Sequence, residues 1–161
     1  MVIGKTNLEL LEEKESVVKP TKKSDITEIG YVLHVDRVDF TKDLIKVTVK
    51  ESVDIPAGYM GTVVLHDSLR NSGIFLSQIN YEPKFYGVPL LEIYNTGSFS
   101  CAYVSKTTKL KTGLGSEMTT TTKEGFCTSG AKKIIQGEPV AILMLEQITG
   151  AETSEQKKGK Q

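Results

Sequence analysis

The stretch Glu51-Ser-Val-Asp-Ile-Pro-Ala-Gly-Tyr-Met-Gly-Thr-Val-Val-Leu-His-Asp-Ser-Leu-Arg-Asn-Ser-Gly-Ile74 decides the fold. Within it, Ser52 to Asp54 is a short extended piece running into a Pro-Ala-Gly turn. Gly61 to His66 is a strand, and Gly73 opens another. Short apolar runs bounded by Pro, Gly, Asn and Ser read as β-strands and turns. The next block is Tyr81-Glu-Pro-Lys-Phe-Tyr-Gly-Val-Pro-Leu-Leu-Glu-Ile-Tyr-Asn-Thr-Gly97. It supplies a turn over Glu82 to Gly87 and a strand ended by Asn95-Thr-Gly. Pro89 has no amide proton to give a ladder, so Val88 and Pro89 belong at that strand's start or on an edge.

Working outward, Leu44 to Val49 alternates strictly. Leu44, Lys46 and Thr48 share one face, and Ile45, Val47 and Val49 the other, as in a half-buried strand. Ile29 to Val38 precedes it as a strand, with a turn expected over Asp39 to Asp43. Pro139 to Ile148 is the last strand. Near the start, Leu8 to Lys14 forms a turn or two of helix, which Pro20 and a polar run end. Many short strands with Gly and Pro turns point to a barrel or sandwich, not to βαβ units. Ser98 to Lys133 differs in texture, being rich in Thr, Gly, Ser and Lys. A structureless loop of that length is improbable in a compact domain. It is then a loop with a job or mobility of its own, or it contains a hairpin, with Cys101 to Thr108 as one strand and Thr119-Thr-Thr-Thr on the other. Gly150 to Gln161 is polar, lacks apolar anchors and is expected to be a disordered tail.

Composition narrows the function classes. The chain has 161 residues, 39% of them apolar and 25% charged, which suits one β domain over residues 1–149 with an atypical insertion at about 98–133. Twenty basic residues balance twenty acidic ones, so there is no basic footprint for nucleic acid. No apolar run is long enough for a membrane span. Two cysteines, Cys101 and Cys127, read as reduced thiols, and with no signal-like apolar segment at the start they suggest a cytoplasmic setting. Two histidines and two scattered cysteines give no zinc signature, and the H-x-E and P-C-x-x-C pattern of zinc deaminases is absent.

The two central blocks resemble the dCTP deaminase and dUTPase superfamily. Glu51-Ser-Val-Asp-Ile-Pro is similar to that family's E-x-V-x-L-P strand. Leu65-His-Asp-Ser-Leu-Arg-Asn-Ser-Gly73 occupies the place of its G-R-S-S-L-A-R-x-G loop. Tyr81 to Gly97 resembles I-D-P-G-W-x-G followed by L-E-F-Y-N-x-G, and Gln136 to Glu146 resembles the last strand. Ile29-Gly-Tyr-Val-Leu-His-Val echoes S-Y-D-L-R-L. The resemblance implies an all-β, distorted barrel or jelly-roll fold, assembly as a homotrimer with sites between subunits, and a deoxynucleoside triphosphate or related nucleotide as ligand. Separately, Glu82 before Pro83 could ligate or position Mg²⁺ through the nucleotide's phosphates, since hard cations take carboxylate and phosphate oxygens.

Residue by residue, the carry-over is uneven. Ser68, Leu69 and Gly73 match the signature loop, but His66 and Asp67 replace its first Arg and Ser. Arg70 sits at the Ala position and Asn71 at the second Arg. An amide lacks the guanidinium fork that grips phosphate. Glu92 matches the glutamate that shuttles protons around C4 of cytosine, and Glu82 takes the place of the aspartate before the Pro-Gly turn. The Gly-rich arm of dUTPases has no counterpart in Gly150 to Gln161. Chemically, removal of an exocyclic amine needs an activated water and a proton shuttle, which one poorly solvated carboxylate can provide. The expected catalytic residues are therefore Glu92 and Ser68, with His66, Asp67, Arg70, Asn71 and Glu82 contacting nucleotide. Three readings stay open: a dCTP deaminase-like hydrolase, a dUTPase-like pyrophosphatase, and an inactive nucleotide-binding or interaction protein. In the last, residues 98–133 would meet a protein partner.

Overall fold

The alternation in Leu44 to Val49 becomes the third strand of a seven-stranded antiparallel sheet. The computed structural model describes residues 2–148. After the helix α1 (Lys5–Glu15), the strands are β1 (Val18–Lys19), β2 (Tyr31–Phe40), β3 (Leu44–Val49), β4 (Ser52–Asp54), β5 (Tyr59–Leu65), β6 (Ile74–Leu76) and β7 (Ile79–Tyr81). There follow β8 (Tyr86–Gly87), β9 (Leu90–Asn95), β10 (Ser100–Lys111), β11 (Glu117–Ser129), β12 (Lys132–Ile134) and β13 (Pro139–Gln147). The large sheet runs β6-β9-β3-β2-β13-β5-β7 and curls into a half barrel. Two three-stranded sheets, β1-β4-β8 and β10-β11-β12, complete a distorted all-β barrel of the jelly-roll kind.

Alternation decides the inside. Ile45, Val47, Leu91 and Ile93 are fully buried in the core, while Lys46, Leu90, Glu92 and Tyr94 point outward. α1 contributes Leu8, and the buried Tyr31 hydroxyl donates to the Leu8 carbonyl. Pro89 lies just before β9, as its missing amide proton requires. β2 runs on to Phe40, so the turn expected over Asp39 to Asp43 shrinks to Thr41–Asp43. β7 and β8 are too short to leave a pattern in the sequence.

The Ser98 to Lys133 region is the hairpin its composition suggested, though much longer. β10 and β11 stay in register from Ser100↔Thr128 to Lys111↔Glu117. Only its root meets the body. Tyr103 stacks on Phe40 with ring centroids 4.5 Å apart, and Gly125 lies so close to β2 that a Cβ would overlap the Val38 carbonyl. The reading of two reduced thiols is corrected here: Cys101 and Cys127 face each other across the ladder, Cα atoms 4.1 Å apart, and form a disulfide. They are distant in sequence, and only the hairpin register makes them neighbours. The disulfide removes the thiol half of the argument for a cytoplasmic setting. Among the described residues, no helix is long and apolar enough to cross a membrane. The polar tail expected over Gly150 to Gln161 lies outside the described residues.

Candidate functional site

The signature loop hangs between β5 and β6. These strands stand near opposite edges of the curled sheet, and the space between them is a groove of about 670 Å³. Val63, Leu65, Ile74 and Leu76 give it apolar walls, while Arg70 and Asn71 bring polar groups into it. Asn71 and Gly73 both have positive φ, 58° and 78°, a conformation in which Asn and Gly are the favoured residues.

The loop is held by the turn that ends β9. Thr96 donates to the Gly73 carbonyl through its amide and its hydroxyl, and the Ser98 hydroxyl donates to the Ser72 carbonyl. Asn95 makes that turn. Its buried amide donates to the Phe99 carbonyl, and its side-chain oxygen accepts from the Gly97 and Phe99 amides. Asn95-Thr-Gly is thus a structural closure, with Gly97 at φ 103°. Lys132 reaches the loop from β12, donating to the Ser72 hydroxyl at 2.6 Å.

Inside the loop, the polar residues largely satisfy one another. The His66 Nδ1 accepts from the Ser68 amide at 3.2 Å, and it lies 2.8 Å from the Ser68 hydroxyl. As Nδ1 already accepts from that amide, the hydroxyl also donates to it. Arg70 donates from Nε to the Leu65 carbonyl, and its Nη1 lies 3.1 Å from Asp67 Oδ1. Arg70 therefore folds back on the loop while still lining the groove. Burial lowers the His66 pKa, opposed by the neighbouring Asp67, while His34 and Arg70 add to the lowering.

That shift has a measurable sign. The folded state favours neutral imidazole, so the unfolded chain binds the extra proton between the two pKa values. The group's contribution to stability is full above about pH 6.5 and is lost as pH falls through the lower, folded value. In urea unfolding, the stability difference between wild type and His66→Asn should therefore shift against wild type as pH drops from 7.5 to 5. A difference independent of pH would contradict this account of His66.

Glu92 lies elsewhere. It sits on the exposed face of β9 with Leu90 and Tyr94, directly across from Lys46 of β3. On the other side of β9, Phe75 of β6 pairs with Tyr94. Phe75 is 63% exposed, Tyr94 59% and Leu90 54%, so the carboxylate stands in the open beside large apolar side chains as well as Lys46. The structure groups His66 with Ser68 and Asp67 with Arg70, and it turns Arg70 and Asn71 to the groove. Glu92 is not among the groove's lining residues. Glu82 is exposed in the turn between β7 and β8, where its carbonyl accepts from the Phe85 amide.

One polar cluster escaped the sequence reading. His34 is half-buried and tied to Glu51, which is only 2% exposed. Both Glu51 oxygens accept from the His34 amide, at 2.8 and 3.0 Å, and Oε1 lies 2.7 Å from the ring Nδ1. The cause is local. β2 shifts register against β3 between Val35 and Arg37, and against β13 near Pro139. Bulging leaves an amide without its ladder acceptor, and Glu51 supplies one. On the other side of the ring, Nε2 is 3.5 Å from Asp25 Oδ1. Nothing in spacing or periodicity signals a pair joined across a bulge.

No family model matches the chain, and no curated protein matches it. Solved structures do. The 2′-deoxycytidine 5′-triphosphate deaminase from Agrobacterium tumefaciens matches with a TM-score of 0.56 at 12% identity. That match covers 92% of this chain and 48% of the deaminase, so the chain spans about half the deaminase's length. A mutant dUTPase from phage phi11 of S. aureus, described with a structural Mg(II) ion, matches with a TM-score of 0.50 at 14% identity, covering 84% of this chain and 86% of that one. The chain therefore has the fold shared by dCTP deaminases and dUTPases.

Proposed function

We propose that the chain acts on a deoxynucleoside triphosphate, as a dCTP deaminase-like hydrolase assembled as a homotrimer. The observation that carries the reading is Glu92, an exposed carboxylate of β9 beside Leu90 and Tyr94 and across from Lys46, on a face that a second copy would cover. A carboxylate moves protons near neutral pH best where water is scarce, and a covering subunit would provide that setting. The reaction converts dCTP and water to dUTP and ammonia. Glu92 would take a proton from the attacking water as it adds to C4 and pass it to the ring nitrogen, then take the proton of the new C4 hydroxyl and pass it to the amine, so that the carbonyl forms as ammonia leaves. Arg70, Asn71 and Lys132 would meet the phosphates, with Ser68 and His66 beside them and Asp67 holding Arg70. Glu82 would lie at the sugar. Among the described residues, no group of three or more His, Cys, Asp or Glu converges to hold a metal ion. Mg²⁺ would arrive on the triphosphate, where it screens the charge of the phosphate oxygens.

A second reading has its own support. The Ser68 hydroxyl is directed at His66, and the Arg70 guanidinium is engaged by Asp67 and the Leu65 carbonyl. A loop satisfied in this way suits a protein that binds nucleotide without converting it, or one that meets a partner through the exposed hairpin. Incubation with each deoxynucleoside triphosphate, with and without Mg²⁺, separates the cases by chromatography. Ammonia and dUTP from dCTP are the expected products. Pyrophosphate and dUMP from dUTP would mark a pyrophosphatase, and retention without conversion would mark a binding protein.

A further inference from the structure

The disulfide and the signature loop are physically joined. Cys101 of β10, Cys127 of β11 and Ile134 of β12 form a single row across the three-stranded sheet. Cys127 and Ile134 are fully buried, while Cys101 is only partly so. Both bonded strands lead from this row to the loop. Three residues before Cys101, the Ser98 hydroxyl donates to the Ser72 carbonyl, and a Cβ on Gly73 would overlap that same hydroxyl. Five residues after Cys127, the Lys132 ammonium donates to the Ser72 hydroxyl at 2.6 Å and to the Arg70 carbonyl at 3.4 Å. Ser72 is therefore gripped from both sides, and the disulfide fixes the spacing of the two strands that carry the grips.

Beyond the row the ribbon is on its own. Its ladder continues to Lys111↔Glu117, and all but Thr112 of the residues from Ala102 to Lys123 are exposed. A two-stranded ribbon is only marginally stable in water by itself. A covalent link on the second rung stops its opening from reaching Ser98 and Lys132. Reduction removes that stop. A dithiol's thiolate attacks the Cys101 sulfur, the more accessible of the two. The S–S bond breaks, and its electron pair leaves on Cys127, which takes up a proton. The reagent's second thiol then displaces Cys101, so the protein gains two thiols and the dithiol becomes a cyclic disulfide. Unbonded sulfurs need more room than bonded ones, and Cys127, sealed in the core, has none to give. β10 therefore moves at Cys101, and Ser98 moves with it. We propose that Cys101–Cys127 is a redox clamp on the signature loop. Bonded, it holds Arg70 to Gly73 in the form that meets nucleotide; reduced, it loosens that segment and weakens binding. The loosening follows from the contacts of Ser98 and Lys132, and only the weakened binding rests on the proposed nucleotide function.

Hydrogen exchange of the full chain, oxidised and after dithiothreitol, tests the clamp without any nucleotide. Reduction should speed amide exchange over Arg70 to Gly73 and Thr96 to Phe99 by at least about tenfold, and leave β13 unchanged. Reoxidation should restore slow exchange. Ser98→Ala should speed exchange over the same segments in the oxidised chain, and reduction should then add little, because one path carries both effects. Cys101→Ala combined with Cys127→Ala should exchange like the reduced chain and ignore dithiothreitol. Binding is read on Glu92→Gln, which should hold dCTP without converting it. Its dissociation constant should rise about tenfold on reduction, the scale of a coupling between two sites. The clamp is overturned if loop exchange is the same in both states, if β13 opens together with the loop, or if dCTP binds equally well before and after reduction. A chain that binds no triphosphate in either state, while its loop still loosens on reduction, keeps the clamp and loses the nucleotide reading.

Discussion

Glu92→Gln is expected to lower the turnover of dCTP by about a thousandfold, the usual scale for removing a positioned acid–base group. The amide keeps the size of the side chain and can still accept a hydrogen bond, but it cannot cycle a proton. The loss should therefore fall on kcat, with KM little changed. The fold should be unaffected, because Glu92 projects from the outer face of β9 and exposed substitutions of this kind usually stay within about 0.5 kcal/mol. Circular dichroism and the unfolding midpoint check that point, and release of ammonia with dUTP checks the rate. Turnover equal to wild type would sink the role given to Glu92. A wild-type chain that holds nucleotide but converts none of the four triphosphates would hand the site to the binding reading. Ser68→Ala should cost less than Glu92→Gln, because its hydroxyl is already engaged by His66.

The framework was legible because barrels write themselves into sequence at period two. Leu44 to Val49 and Leu90 to Tyr94 alternate cleanly, and both show the burial that alternation implies. The turns were legible for the same reason: Gly73 and Gly97 occupy positive φ, and Pro89 stands at a strand start. What escaped depends on register. Cys101 and Cys127 are bonded because two long strands align, and composition could locate the hairpin without fixing which residues face each other. Glu51 and His34 meet because β2 bulges, and a bulge leaves no periodic signature. The signature loop was half-legible. Its position was clear, but the mutual satisfaction of His66 with Ser68 and Asp67 with Arg70 is a matter of side-chain direction. Those pairings change its meaning, because His66 and Asp67 make an internally bonded turn and not an open phosphate grip.

The second large effect concerns assembly, on which the proposed chemistry depends. Phe75 and Tyr94 are paired across β6 and β9, and with Leu90 they are large apolar side chains exposed on the face that carries Glu92 and Lys46. Burying each such ring stabilises an interface by roughly 1.5–3 kcal/mol, and burying an unpaired carboxylate in its place opposes association further. Phe75→Glu combined with Tyr94→Glu should therefore weaken subunit association by about a thousandfold or more. The monomer itself should fold, since both side chains already stand in solvent in the single chain. Sedimentation at micromolar concentration should show a trimer for wild type and a monomer for the double variant. Deamination should vanish with the trimer, even though Glu92 and the signature loop are untouched. Activity that persisted in the monomer would mean that one chain holds a whole site, and the uncovered face of β9 would then have no part in catalysis. A wild-type monomer would remove the covering subunit altogether and leave Glu92 an ordinary surface carboxylate. Retained assembly in the double variant would place the interface on another surface. Catalysis and association should thus fail together, because one ladder of side chains carries both.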